Sequence, residues 1–132
     1  MASYADITKL EMIAGGSPFY LVDRKRFETN FEDLTAAFSS RYQPFILAYS
    51  YKTNYIPYLC GIIRQKGGWA EVVSRMEYDL ALKVGQEPAK IIFNGPVKTP
   101  EDIELALKNG TLINVDSLAE LALVQDYAGK HP

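Results

Sequence analysis

The sequence predicts an α/β fold built from successive parallel βα units. Three observations lead there. Short runs rich in β-branched and aromatic residues begin at residues 45, 69, 90 and 111. Each is followed by a segment with apolar residues at helical spacing, opened by a capping residue or a proline. Glycines stand at the helix exits, at Gly67-Gly68, Gly85 and Gly110, where helix C-termini favour them.

The elements follow in order. Gly15-Gly16-Ser17 reads as a turn, and Phe19-Tyr20-Leu21-Val22 after it as a short strand. Asp23 suits an N-cap. Phe27, Phe31, Leu34 and Phe38 then recur at steps of four, three and four, which predicts an amphipathic helix over 24–38. These pieces make an N-terminal segment, residues 1–44. Four βα units occupy 45–132. A strand over 45–51 leads to a helix entered near Pro57, where proline fits a first turn. A strand over 69–73 leads to a helix starting near Ser74. A strand over 90–93 leads through Asn94-Gly95-Pro96 to a helix starting near Thr99-Pro100, and a strand over 111–115 to one starting near Ser117. Ser74-x-x-Glu77 and Ser117-x-x-Glu120 have the spacing of capping boxes. Each crossover returns the chain to the same end, so the strands are parallel. Two architectures satisfy this: a doubly wound open sheet, or the first half of a TIM-type (β/α)8 barrel, which takes roughly 250 residues in full.

Composition narrows the function classes. The chain has 132 residues, 48% hydrophobic and 23% charged, enough for one ordinary core. The net charge is −2, with acids and bases mixed, so neither a nucleic-acid partner nor a membrane-surface role is expected. Cys60 is the single cysteine, which rules out an internal disulfide and fits a reducing compartment. The opening MASYADITKL has no long apolar core, and no apolar run is long enough to cross a bilayer, so a cytoplasmic location is expected. The single histidine, His131, argues against a histidine-based metal site or catalytic triad within this chain.

In parallel α/β folds, functional groups gather at the C-terminal ends of the strands. Those ends carry Lys52 with Asn54, Ser74 with Glu77, Asn94 with Lys98, and Asp116 with Ser117. Capping accounts for Ser74, Thr99 and Ser117, although a cap can also face a ligand. Lys52 ends the run FILAYSYKTN. With a period of two, Ile46, Ala48, Ser50 and Lys52 share one face, and Phe45, Leu47, Tyr49 and Tyr51 share the other. The bulky face suits packing against helices. The lysine face is small, with room beside the amine for a flat cofactor, although a lysine that has simply reached solvent fits the same pattern. Glu71 interrupts the apolar run Trp69-Ala70-Glu71-Val72-Val73. A buried carboxylate is costly unless paired, so it lies at an exposed strand end or faces the lumen near a cation, for which Lys52 is the candidate. Tyr49, Tyr51, Tyr55 and Tyr58 read as packing rather than a platform for bases. Neither a dinucleotide fingerprint nor a phosphate loop occurs.

Together these segments resemble the pyridoxal-phosphate-dependent decarboxylases of the alanine-racemase-like fold, the diaminopimelate and ornithine/arginine decarboxylase family. Ser17-Pro18-Phe19-Tyr20-Leu21-Val22-Asp23 is similar to the family's opening strand. Tyr49-Ser50-Tyr51-Lys52-Thr53-Asn54 resembles its Tyr-Ala-x-Lys-x-Asn motif, and Ala70-Glu71-Val72-Val73-Ser74-Arg75-Met76-Glu77 its Ala-Asp-Val-Val-Ser-x-x-Glu segment. Ile91-Ile92-Phe93-Asn94-Gly95-Pro96-Val97-Lys98 and Val115-Asp116-Ser117 resemble the third and fourth strand ends.

The resemblance implies an N-terminal half of such a decarboxylase, with pyridoxal 5'-phosphate as cofactor and Lys52 as its Schiff-base lysine. It implies cofactor contacts from Glu71, where the family generally carries Asp, and from Ser74 and Asn94. An amino acid is the implied substrate, and a homodimer the implied full-length form. The histidine that stacks on the ring, the Gly-rich phosphate loop and a C-terminal β-domain come later in the family than the fourth strand. Two other readings share the fold: an alanine-racemase-like protein with the same cofactor, and a non-catalytic half-barrel module.

Overall fold

The computed structural model describes residues 4–131, which fall into two compact units divided between Asn30 and Phe31. In the first unit a helix, α1 (Tyr4–Ala14), precedes the predicted segments. It ends where the Gly16 N–H reaches back to the Glu11 carbonyl at 3.0 Å. Phe19-Tyr20-Leu21-Val22, expected as a strand, pairs with no strand among the described residues. Tyr20 is 100% exposed, and an apolar run with no ladder beside it has nothing to fix it as a strand. Asp23 caps the next helix as expected, its Oδ1 accepting from the Arg26 N–H at 2.9 Å. That helix, α2 (Arg24–Ser39), buries Phe31.

The second unit is a sheet of four parallel strands flanked by helices. Its elements are β1 (Ala48–Ser50), α3 (Pro57–Gln65), β2 (Trp69–Val72), α4 (Arg75–Lys83), β3 (Ile91–Phe93), α5 (Pro100–Lys108), β4 (Leu112–Ile113) and α6 (Leu118–Lys130). The strands lie in sequence order, β1-β2-β3-β4, all parallel. The predicted βα order therefore stands, with shorter strands. β1 stops at Ser50 because Tyr51–Thr53 turns into one turn of 3-10 helix, tied by the Thr53 hydroxyl donating to the Ser50 carbonyl at 2.8 Å. At the other end, Phe45 leaves the ladder and stacks on Phe38 with ring centroids 5.0 Å apart.

Strand alternation sorts the strand residues, but Tyr51 and Lys52, expected to continue the alternation of β1, fall outside it because the 3-10 turn begins at Tyr51. Ala70, Val72, Ile91 and Phe93 are buried on the helix-covered face, with Tyr51, Cys60, Tyr78, Ala81 and Ala106 around them. Tyr78 stacks on Phe93 at 5.6 Å, and its hydroxyl is satisfied by Asn109 Nδ2 and Thr111 Oγ1, both at 3.0 Å. A buried tyrosine needs such partners, and here they pin α4 to the ends of α5 and β4. The opposite face carries the register row Ser50, Glu71, Ile92 and Leu112. In a barrel this face turns inward.

The helix starts rest on side-chain caps. Ser74, Thr99 and Ser117 accept from the N–H three residues on, in each case worth about 1 kcal/mol. Only Thr99 closes the full reciprocal box, with Asp102 accepting from the Thr99 N–H at 3.0 Å. Glu77 and Glu120 are one methylene longer and accept from the residue before the cap, Val73 at 2.8 Å and Asp116 at 2.9 Å. Burial alone would raise the Asp102 pKa. The bonds from Thr99 and the Arg75 guanidinium outweigh it and hold the group below the usual carboxylate range.

Two outcomes follow. The Gly95 backbone presses on the preceding loop so closely that an added Cβ would lie 2.4 Å from the Val73 carbonyl oxygen. Gly95→Ala should cost about 2 kcal/mol or more, read as a lower denaturant midpoint with an unchanged slope. Asp102 has a lower pKa folded than unfolded. Its contribution is fully present above the unfolded value of about 3.9 and is lost as pH falls through the folded value. Asp102→Asn should therefore be less stable than the parent near neutrality and converge on it in acid, measured by unfolding midpoints along a pH series.

Candidate active site

All four strands deliver their C-terminal ends to one rim, where the polar residues picked out in the sequence gather. Lys52 sits in the 3-10 turn directly after β1 and is exposed. Tyr51, 1% exposed, anchors that turn in the core. Burial pushes the Tyr51 phenol well above its ordinary pKa, so it stays protonated. Burial likewise pushes up the neighbouring Cys60 thiol, with the Tyr51 contact partly opposing the shift. Cys60 is thus a packed, inert thiol. Asn54 closes the loop by accepting from the Ile56 N–H at 3.1 Å. Among the described residues, the Lys52 ammonium makes neither an ion pair nor a hydrogen bond.

The anticipated pairing of Glu71 with Lys52 does not form. Glu71 instead accepts from the Asn94 carboxamide, Nδ2 to Oε1 at 2.9 Å. Glu71 belongs to β2, while Asn94 follows β3 and holds its own place through its N–H to the Val72 carbonyl at 2.7 Å. The two side chains cross-link neighbouring strand ends on the open face. A neutral donor serves a half-buried carboxylate there because it removes no counter-ion from water. Ser74 is occupied as a cap, its Oγ accepting from the Glu77 N–H at 3.3 Å. Glu71 and Asn94 are therefore joined, Ser74 stands at the adjacent loop as a helix cap, and Lys52 stands in the turn after β1.

Two features escaped the sequence reading. The Lys98 side chain is 0% exposed and lies 3.3 Å from Asp116 Oδ2 and 3.2 Å from Glu120 Oε2. It also donates to the Gly95 carbonyl, so one ammonium ties the loop after β3 to the loop before α6. The polar strand ends hinted at each residue separately but not at their meeting. The second feature is Ser50, whose Oγ is buried with no hydrogen-bond partner among the described residues. Those residues hold no cluster of metal-ligating side chains, and none of their helices is long and apolar enough to cross a membrane.

The family profile described as "Pyridoxal-dependent decarboxylase, pyridoxal binding domain" matches residues 25–132. The chain belongs to this family. Diaminopimelate decarboxylase of Methanothermobacter thermautotrophicus is 32% identical over 113 residues, covering 86% of this chain and 26% of that protein. The structure of diaminopimelate decarboxylase from M. jannaschii in co-complex with L-lysine superposes with a TM-score of 0.85 at 30% identity, over 95% of this chain and 30% of that one. The Helicobacter pylori enzyme complexed with L-lysine gives 0.79 at 30% identity, over 97% and 31%. The four βα units are accordingly those of a TIM-type barrel, and the chain spans about a quarter of the length of the relatives it matches.

The residues at the rim fit the family's pyridoxal group. Among the described residues, a primary amine without a partner stands in the turn after β1, an unsatisfied hydroxyl ends that strand, and a carboxylate and carboxamide cross the next two strands.

Removing the Lys98 cation would leave a buried carboxylate with nothing to balance it. Lys98→Met should destabilise the fold by about 3 kcal/mol in chemical denaturation. Pairing it with Glu120→Gln should recover part of that loss.

Proposed function

We propose that the chain is the N-terminal, cofactor-binding part of a pyridoxal-phosphate-dependent amino-acid decarboxylase of the diaminopimelate/ornithine type. Lys52 is the lysine that takes the aldehyde of the cofactor. One observation carries this reading: within a matched pyridoxal-binding domain, Lys52 stands on the functional rim, exposed and with no partner among the described residues. The barrel units occupy 45–132 behind the N-terminal segment 1–44. The full-length form is a cytoplasmic homodimer.

Each residue has a defined task. Tyr51, sunk in the core, fixes the base of the lysine side chain, so the amine is aimed by the turn while its end stays free. Glu71 and Asn94 work as a unit at the cofactor's edge, the carboxamide orienting the carboxylate. Ser74 and its helix N-terminus contribute the wall of the adjacent loop. When bound, pyridoxal phosphate supplies an electron sink for the pair of electrons left by the departing α-carboxylate. The substrate is an amino acid, a reading supported by the two structural relatives that are complexes with L-lysine.

The test is covalent mapping. Pyridoxal phosphate is added to the full-length protein, the adduct is reduced with borohydride, and the labelled peptide is identified. The label should fall on Lys52, and Lys52→Arg should abolish it. Because Lys52 is exposed, the substitution should move the cofactor-free stability by no more than about 0.5 kcal/mol. A label on any other lysine, or none in the parent, would overturn the assignment.

A further inference from the structure

Ser50 ends β1 and faces Glu71 in register on the open face of the sheet. Its Oγ is one of two buried side-chain polar atoms without a hydrogen-bond partner among the described residues; the other is Thr35 Oγ1. Thr35 lies inside α2, where a threonine hydroxyl can turn to a carbonyl of its own helix. Ser50 is on a strand, and the Ser50 carbonyl is already taken by the Thr53 hydroxyl. Glu71, its register neighbour, bonds Asn94.

An orphaned hydroxyl at such a place needs a reason, because leaving it unpaired costs stability and a methyl group would fill the same space. Packing therefore does not ask for serine over alanine here. The hydroxyl lies two residues before Lys52, on the face that carries Glu71. The pattern is that of a polar group held ready for a ligand atom.

Resting on the reading of Lys52 as the cofactor lysine, we propose that Ser50 is an additional cofactor-binding residue, its Oγ–H donating to the phenolic oxygen of pyridoxal phosphate. The choice of atom follows from chemistry. On the pyridine ring, the carbon bearing the aldehyde lies between one carrying the phenolic oxygen and one carrying the phosphate arm. A single neutral donor suits one phenolate oxygen and is poorly matched to a phosphate dianion, which takes several donors or a positive charge. Donation to the phenolate stabilises its ionised form.

The experiment compares the full-length parent with Ser50→Ala, Ser50→Thr and Lys52→Arg. Ser50→Ala should bind pyridoxal phosphate roughly threefold to tenfold more weakly. The pH at which the bound cofactor's visible absorbance titrates should move upward. The cofactor-free form should unfold at the same temperature as the parent or slightly above, because an unsatisfied hydroxyl has been removed. Ser50→Thr should restore part of the affinity. If Ser50→Ala is labelled at Lys52 but keeps the parent's affinity and absorbance titration, the Ser50 proposal is overturned while the assignment of Lys52 stands. If Ser50→Ala destabilises the cofactor-free form as much as the loaded one, the hydroxyl is structural and the proposal fails. A parent that takes no label at Lys52 overturns the cofactor reading, and this proposal with it.

Discussion

Parallel pairing is the constraint on which the second unit depends. Each strand can meet the next only if a helix carries the chain back along the length of the sheet. All strands then end at the same rim, and their first loop residues become neighbours whatever their distance in sequence. Asn94 and Glu71 meet in this way, as do Lys98 and Glu120. The same constraint buries the helix-covered face, so Val72, Ile91 and Phe93 become a core without any contribution from the open face.

The rim is held by contacts of several chemical kinds. Helix caps fix where the chain leaves each strand, and their reach depends on a single methylene. Asp102 closes on its own cap residue, whereas Glu77 and Glu120 extend to the residue before it. Glu120 then presents its carboxylate to Lys98 as well, so one side chain orders a helix start and balances a buried cation. Gly95 supplies the close approach that lets the loop after β3 lie against Val73. Cap, ion cluster and steric fit therefore act on adjoining segments.

Much of this was legible in the sequence, for physical reasons that can be named. Glu71 stood out of the run Ala70-Glu71-Val72, because burial in β2 follows the pleat. Ser74, Thr99 and Ser117 announced the helix starts, because their bonds are local. Gly67, Gly85 and Gly110 marked the exits and take positive φ values of 81°, 83° and 72°. Non-local pairings were less legible. The partner of Glu71 lies 23 residues away, and the sequence offered Lys52 as readily as Asn94. Lys98 and Asp116 are separated by 18 residues and meet only once β3 and β4 pair. The run Phe19-Tyr20-Leu21-Val22 has strand composition, but composition cannot supply the neighbour that a ladder requires. Helix α1 was missed because its segment carries a weak apolar stripe.

The bond between Asn94 and Glu71 has an electrostatic consequence. A carboxamide satisfies a lone pair and fixes the oxygen's direction, yet it cancels none of the charge. Glu71 is therefore geometrically locked while its field remains, in a half-buried setting where water screens it only partly. Such an anchored anion is felt by any positive group brought to the rim, and its influence declines with distance far more gently than a contact does. The sheet thus has a fixed negative pole beside its open face, set by a neutral neighbour and not neutralised by it.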